Sequence, residues 1–211
     1  MNRASAPRRF LWVVVIAAVT VAAVGVGIAL STRNSRTVPV VGDSITVYSR
    51  NDISRGLKGA YHAEVTALIG QRIDQMLPAL RNAVQKDPFA VIENLGTNDA
   101  LQGRKHPDWK SGFTRMVALL APARCVVLTT INTLPNRAPS AVPSVASDIN
   151  RAIAEAAASH PNFHVADWNA AVHGADGARL LVDDQVHPSG PGQLVLAALY
   201  RSALDRDCRD K

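Results

Sequence analysis

Five short runs rich in apolar residues are distributed along the chain beyond its first 37 residues. They contain many β-branched residues, and polar or turn-forming residues separate each run from the next. Such runs are typical of β-strands with buried side chains. They cover residues 38–41, 63–69, 89–95, 125–131 and 163–166. The pattern therefore predicts five strands.

The segments between these runs have a helical period. Apolar residues recur every three or four positions in residues 73–84 and 113–120, and we expect further helices at 145–158 and 193–204. Strands that alternate with helices favour a mostly parallel sheet with helices on both faces. The sequence thus predicts an α/β fold whose ligands bind beyond the carboxyl ends of the strands.

A long uncharged segment lies near the amino terminus. Residues 10–30 carry no charge and are long enough to cross a hydrocarbon layer of about 30 Å as a helix. The segment exceeds the roughly 7 to 15 apolar residues of a cleavable signal core, so we expect an uncleaved transmembrane signal anchor. A cleaved signal peptide, giving a secreted protein, is the alternative, because the Gly27-Ile28-Ala29 sequence offers small residues for a cleavage site.

The charges around this segment predict its orientation. Three arginines precede it and two follow it closely. The positive-inside tendency then makes residues 1–9 a cytoplasmic tail and places the rest of the protein outside the cytoplasm. Residues 31–36 are polar and form a linker, so that residues 37–211 make up one folded domain of a single-pass membrane protein.

Composition excludes some classes of function. The 211 residues, 47% of them hydrophobic, suit one globular domain with a short appendage. The net charge of +6 comes from scattered basic residues without a long basic block, which argues against nucleic acid as a partner.

Cys125 and Cys208 are the only cysteines, and they form either a disulfide in an oxidising compartment or two buried thiols.

The first candidate for chemistry is Ser44, in a Gly-Asp-Ser sequence directly after the first predicted strand. We expect a serine at the carboxyl end of a strand to be exposed, and a nucleophile needs that exposure. An ordinary turn or helix cap is the alternative for this tripeptide.

Two further segments offer donors to a negatively charged oxygen. Asn98, in Gly-Thr-Asn-Asp, follows the third predicted strand, and its amide can stabilise the oxyanion of an acyl-transfer transition state. Gly70 ends the second predicted strand and starts the next helix, where its backbone N–H is another candidate donor. Both segments are also common turn sequences.

A carboxylate and an imidazole stand three residues apart just before the last predicted helix. In Asp-Gln-Val-His-Pro, His187 can act as general base toward Ser44, and Asp184 can fix its tautomer and stabilise the imidazolium. Asp183 competes with Asp184 for this role, and His173 is the rival base.

With these motifs in this order, the chain resembles the SGNH hydrolases, or GDSL-type esterases, over residues 38–204. Ser44 matches the serine block, Gly70 the glycine block, Asn98 the asparagine block, and Asp184 with His187 the histidine block. The resemblance implies a three-layer α/β/α fold and a Ser44–His187–Asp184 triad. It also implies an oxyanion hole from the Ser44 and Gly70 backbone N–H groups and the Asn98 side chain, with no metal and no organic cofactor.

The resemblance also implies a function. We expect a membrane-anchored serine esterase that hydrolyses O-acyl bonds in an ester substrate, either an O-acylated cell-envelope glycan or a lipid. Asp167-Trp168-Asn169 resembles domains that acylate envelope glycans, so an O-acyltransferase is one alternative; a glycan-binding protein without turnover is another. The last helix of the family's fold brings Cys208 toward Cys125, which favours the disulfide.

Overall fold

The computed structural model describes residues 36–133 and 141–209. Its strands are β1 (Thr37–Gly42), β2 (His62–Ala67), β3 (Val91–Asn94), β4 (Val126–Thr129) and β5 (Phe163–Ala166). They form one parallel sheet in the order β2-β1-β3-β4-β5. The prediction of an α/β fold with a five-stranded parallel sheet is confirmed, although three of the predicted runs extend one or two residues past the observed strand ends.

Seven α-helices accompany the sheet in this part of the chain. They are α1 (Ser44–Leu57), α2 (Ile73–Gln85), α3 (Thr97–Leu101), α4 (Trp109–Leu120), α5 (Pro143–Ser159), α6 (Trp168–His173) and α7 (Gly190–Asp207). The four predicted helices correspond to α2, α4, α5 and α7, whereas α1, α3 and α6 were not predicted.

Helices cover both faces of the sheet and bury two hydrophobic clusters. In β1, Val41 packs into a cluster with α2, α4 and α5, while its neighbour Val40 packs into a second cluster with α1, α6 and α7. This alternation follows from the period of two along a strand. Trp168 is fully buried in the second cluster, where its indole packs in the core. The layers are therefore helix, sheet and helix.

The strand register aligns the carboxyl ends of β2, β1 and β3. Gly42, the last residue of β1, is opposite Ala67 of β2 on one side and Asn94 of β3 on the other. The segments that follow these three strands therefore begin side by side at one edge of the sheet. Ser44, Gly70 and Asn98 belong to these segments.

A disulfide joins Cys125 and Cys208, whose Cα atoms are 5.7 Å apart. Cys125 directly precedes β4 and Cys208 directly follows α7, and both side chains are fully buried. The cross-link thus lies at the amino end of β4, which is the edge of the sheet opposite Ser44.

The predicted cytoplasmic tail, membrane anchor and most of the linker (residues 1–9, 10–30 and 31–36) lie outside the described residues. Among the residues that are described, no helix has the length and apolar character needed to cross a bilayer.

Candidate active site

Ser44 is the first residue of α1, two residues after β1 ends. Asp43 caps the helix: its Oδ1 atom accepts the backbone N–H of Ile45 at 3.0 Å. The turn is tight because a Cβ atom on Gly42 would lie 2.0 Å from Oγ1 of Thr46. Glycine therefore lets α1 start immediately after the strand, which holds the serine at the carboxyl edge of the sheet.

Ser44, His187 and Asp184 form a continuous hydrogen-bonded chain. Nε2 of His187 lies 2.9 Å from Oγ of Ser44, and Nδ1 lies 2.6 Å from Oδ2 of Asp184. The side chains of His187 and Asp184 are 28% and 47% exposed, so the chain of contacts opens to solvent at that end. Ser44 itself is only 5% exposed, which corrects the prediction of an exposed serine, because its side chain lies against His187. The structure thus brings together the three residues that the sequence suggested for a triad.

The two competing residues are placed elsewhere. A ring nitrogen of His173, at the end of α6, lies 3.2 Å from Oγ1 of Thr133. Asp183 is exposed, and the carboxylate against His187 belongs to Asp184. The geometry therefore favours His187 and Asp184 over both alternatives.

Hydrogen bonds to the Asp184 side chain and from Asn132 hold the turn that carries Asp184 and His187. Oδ1 of Asp184 accepts the backbone N–H groups of Val186 and His187 at 2.8 and 2.9 Å. Gln185, which lies between Asp184 and Val186, has φ of 61°, and its carbonyl oxygen accepts a hydrogen bond from Nδ2 of Asn132 at 2.9 Å. The turn therefore presents the carboxylate and the imidazole to one another before any substrate binds.

Hydrogen bonding keeps Asp184 ionised. Partial burial raises the pKa of its carboxyl, but the hydrogen bonds from the His187 ring and from two backbone N–H groups outweigh this effect, and the net pKa is below the ordinary value. A negative charge at this position favours the Nδ1–H tautomer of His187, which leaves Nε2 free to accept the proton of Ser44.

Asn98 lies on α3 and is hydrogen-bonded to the residue that precedes the serine. Its Nδ2 atom donates to Oδ2 of Asp43 at 3.0 Å. An amide nitrogen carries two hydrogens, so this contact fixes the side chain and leaves a second hydrogen for an oxyanion. Burial raises the pKa of Asp43 to about 7, although its hydrogen bonds with Ile45 and Asn98 oppose that shift.

Gly70 lies in the turn between β2 and α2, rather than at the junction of a strand with a helix. The strand ends at Ala67 and the helix begins at Ile73, which corrects the sequence-based assignment. Gly70 has φ of 76°, a left-handed conformation that favours glycine. Leu68 and Ile69, which the sequence assigned to the strand, are exposed and lie in the turn.

Gln102 connects the Gly70 turn to α3, and sequence reasoning did not identify it. Its Nε2 atom donates to the carbonyl oxygen of Gly70 at 3.0 Å and lies 3.5 Å from Oδ1 of Asn98. Its Oε1 atom accepts from Nη1 of Arg72 at 3.0 Å. Gln102 thus contacts both of the segments in which the sequence predicts oxyanion donors. No motif marks it, because a glutamine just after a short helix is an ordinary surface residue.

Two further carboxyl groups are buried near this edge of the sheet and were also not predicted as functional. Asp99 accepts the backbone N–H of Ile73 at 3.0 Å and so joins α3 to the start of α2; burial raises its pKa to about 6. Glu93 lies in β3 and accepts the N–H of Leu95 at 2.7 Å, and burial raises its pKa well above the ordinary value. Within the described ranges, no group of three or more His, Cys, Asp or Glu side chains is placed to hold a metal.

The sequence of residues 40–195 matches the family described as GDSL-like Lipase/Acylhydrolase. The matched range covers well over half of the chain and contains Ser44, Gly70, Asn98, Asp184 and His187. No curated protein is significantly similar to the sequence.

Solved structures share the fold. The C-terminal catalytic domain of peptidoglycan O-acetyltransferase A from Streptococcus pneumoniae aligns with a TM-score of 0.66 and 18% identity, over 81% of this chain and 93% of that one. A lipase/acylhydrolase from Enterococcus faecalis gives 0.68 and 20%, over 83% and 98%. A GDSL-like lipase from Bacteroides thetaiotaomicron gives 0.67 and 22%, over 81% and 88%. At these identities the similarity is one of fold.

Proposed function

The chain belongs to the GDSL-like lipase/acylhydrolase family, and we propose that within this family it is a serine esterase that hydrolyses carboxylic O-acyl bonds. The observation that carries the proposal is the continuous contact of Asp184, His187 and Ser44, with separations of 2.6 and 2.9 Å. Serine is a weak nucleophile unless a base takes its proton, and this arrangement supplies the base.

In the first step, Oγ of Ser44 attacks the ester carbonyl carbon and Nε2 of His187 takes the hydroxyl proton. Asp184 stabilises the imidazolium that forms, because its carboxylate stays ionised beside Nδ1. The tetrahedral intermediate then collapses, the bond to the alcohol oxygen breaks, and His187 returns the proton to that oxygen. The products of this step are the free alcohol and an acyl-serine.

In our proposal the oxyanion of that intermediate accepts from the backbone N–H groups of Ser44 and Gly70 and from Nδ2 of Asn98. As the first residue of α1, Ser44 has a backbone N–H without a partner inside the helix. Each such donor is worth about 3 to 4 kcal/mol in a serine hydrolase. In the second step, water gives a proton to Nε2 of His187 and attacks the acyl carbon. The bond from that carbon to Oγ of Ser44 then breaks, Oγ regains the proton from His187, and the acid leaves.

We further propose that the acyl group is small and that the alcohol portion is an envelope glycan, with lipid esters as the alternative. The exposure of Asp184 and His187 describes an open site, which suits a short acyl group on a large alcohol. An acyltransferase differs only in using a second alcohol instead of water. The peptidoglycan O-acetyltransferase domain with the same fold makes that reaction the second candidate.

We propose that the protein is exported and stays attached to the membrane through residues 10–30. The uncharged length of that segment supports the anchor, and the Cys125–Cys208 disulfide is typical of oxidising compartments. Cell fractionation followed by alkaline extraction tests this proposal. Retention of the full-length mass in the membrane pellet supports an anchor, whereas a shortened soluble protein would indicate a cleaved signal peptide.

Labelling with a fluorophosphonate probe tests the esterase proposal. The full-length protein should gain one adduct by intact mass, and Ser44→Ala and His187→Ala should gain none. Ser54→Ala is the matched control, because Ser54 is an exposed serine on the same helix and should not affect labelling. A folded parent protein that gains no adduct would exclude the esterase and favour the glycan-binding alternative.

Product analysis separates the two enzymatic candidates. With an acetyl ester as donor, the esterase releases acetate at a rate that an added sugar acceptor does not change. The transferase releases the donor alcohol faster when the acceptor is present and forms an acetylated sugar.

A further inference from the structure

Large apolar side chains are exposed around the candidate active site. Five such side chains are exposed among the described residues, and four of them lie in segments that adjoin the catalytic or oxyanion residues. These four are Tyr48 (50% exposed), Leu68 (56%), Ile69 (61%) and Val182 (41%). Exposed apolar side chains beside a site favour a ligand with apolar surface.

Tyr48 stands closest to the proton-transfer group. It lies one helical turn after Ser44 on α1, so both side chains are on the same face of that helix. The centre of its ring is 5.0 Å from the centre of the His187 imidazole, and the two rings are nearly perpendicular at 87°. The ring thus contacts the base while half of its surface stays open to solvent.

Val182 borders the same histidine. Its backbone N–H donates to the carbonyl oxygen of His187 at 2.9 Å, which fixes the two residues side by side. Leu68 and Ile69, in contrast, directly precede Gly70 and belong to the oxyanion side of the site. The exposed apolar residues therefore divide into a pair beside His187 and a pair beside Gly70.

The chemistry of the acylation step identifies what passes beside His187. Nε2 returns its proton to the oxygen of the departing alcohol, so that oxygen must come within hydrogen-bond reach of the ring, about 2.6 to 3.2 Å. The carbon atoms bonded to that oxygen then lie against whatever surrounds the imidazole. Tyr48 is the exposed aromatic ring at that position.

We propose that Tyr48 forms the subsite for the alcohol moiety of the ester, and that this alcohol is a pyranose sugar. The proposal rests on the esterase or transferase function of Ser44. A tyrosine ring offers an apolar face with a polar tip, which matches the C–H face and the hydroxyl rim of a pyranose. An exposed phenol ring is also a rigid contact that loses little entropy on binding.

The same subsite serves transfer as well as hydrolysis. In transfer, His187 takes the proton of the acceptor hydroxyl, the acceptor oxygen bonds to the acyl carbon, the bond from that carbon to Oγ of Ser44 breaks, and Oγ regains the proton. This is the reverse of acylation by a sugar ester, so the acceptor occupies the place that the alcohol left. During hydrolysis of the acyl-serine the subsite holds only water.

Two acetyl esters that give the same acyl-enzyme test the proposal: methyl 6-O-acetyl-glucoside and methyl acetate. Tyr48→Ala should lower kcat/KM for the sugar ester about 3- to 10-fold more than for methyl acetate, the range expected for loss of one aromatic contact. Hydrolysis of the isolated acetyl-enzyme should proceed at the parent rate. Tyr48→Phe keeps the ring and should retain most of the preference. Leu194→Ala removes an exposed apolar side chain on α7, outside these segments, and should leave the ratio between the two esters unchanged.

Equal losses on both esters together with slower hydrolysis of the acetyl-enzyme would overturn the proposal, because they would mean that Tyr48 positions His187. An unchanged ratio would overturn it as well. If the parent hydrolyses neither ester and gains no fluorophosphonate adduct, the esterase itself fails. Saturation-transfer NMR with methyl glucoside then decides the subsite: a signal that Tyr48→Ala removes supports it, and equal signals contradict it.

Discussion

Oδ2 of Asp184 lies 2.6 Å from Nδ1 of His187, while Oδ1 of the same carboxylate accepts the backbone N–H of His187. One carboxylate therefore fixes both the ring and the main chain of the histidine. The three-residue spacing makes this double contact possible within a single turn. The contact also identifies Asp184, rather than Asp183, as the carboxylate that holds the His187 ring.

We predict that Asp184→Asn lowers kcat/KM for an acetyl ester by about 10²- to 10⁴-fold. The amide can turn its N–H toward Nδ1, which stabilises the tautomer with a proton on Nε2 and leaves Ser44 without a base. Steady-state hydrolysis measures this effect. Asp183→Asn is the matched control, since Asp183 is exposed beside it, and that variant should stay within about twofold of the parent. Comparable losses in the two variants would contradict the assignment.

We predict that Gln102→Leu lowers kcat about tenfold with little change in KM. The substitution removes the hydrogen bonds of Gln102 to the Gly70 carbonyl and to Arg72, so the turn that carries one proposed oxyanion donor loses its tie to α3. A donor that is displaced weakens binding of the transition state more than binding of the ground state. Steady-state kinetics on an acetyl ester separates kcat from KM.

Gln85→Leu controls for the loss of a glutamine, because Gln85 is exposed at the far end of α2. It should leave both constants unchanged. A Gln102→Leu variant with unchanged kcat, or with a rise in KM alone, would show that Gln102 does not position the oxyanion donors.

The sequence alone was sufficient to predict the sheet and to identify the family. The inner strands β1, β3 and β4 are buried on both sides because helices cover both faces of the sheet, and a predominantly apolar run marks each of them. The edge strand β2 is only partly buried, and its β-branched residues mark it instead. The GDSL resemblance is confirmed by the match of residues 40–195 to that family. The order of the four motifs carried this inference, since each motif alone is a common turn.

Helix α1 shows why some of the fold could not be predicted. Three of its six buried residues are Ser44, Thr46 and Ser49, so the helix lacks a continuous apolar stripe. Its buried face includes the proposed nucleophile, and Thr46 and Ser49 stand where periodicity would detect apolar residues. The role of Gln102 is hidden for another reason: its partner Gly70 is 32 residues away in sequence, and only the folded chain brings them together.

We predict that the stabilising contribution of Asp43 falls as the pH rises from about 4 to about 7. Burial raises the pKa of this carboxyl from 3.8 to about 7, so folding favours its protonated form. Its contribution to the free energy of unfolding is complete below the pKa that Asp43 has in the unfolded chain. The contribution is lost as the pH rises through the pKa that Asp43 has in the folded protein, and its upper limit is about 4 kcal/mol. Urea unfolding of the parent and of Asp43→Asn across this pH range measures the difference.

Glu93 and Asp99 titrate in both proteins. The difference in the free energy of unfolding between the two proteins at each pH therefore cancels, to first order, the contribution of these two groups. The stability of the parent relative to Asp43→Asn should fall steadily over the range. A relative stability that rises with pH would mean that the hydrogen bonds from Ile45 and Asn98 outweigh burial and hold the pKa below its ordinary value.

We predict that replacing Cys125 and Cys208 together by alanine lowers the free energy of unfolding by about 2 to 5 kcal/mol while activity at low temperature is retained. The bond closes a loop across a sequence separation of 83 and so restricts the unfolded chain, while it lies at the edge of the sheet opposite Ser44. Urea unfolding of both proteins, with and without reductant, measures this effect. Reductant should destabilise the parent to about the level of the double variant and should leave the double variant unchanged. Loss of acetyl-ester hydrolysis by a folded double variant would instead mean that the cross-link influences the catalytic edge.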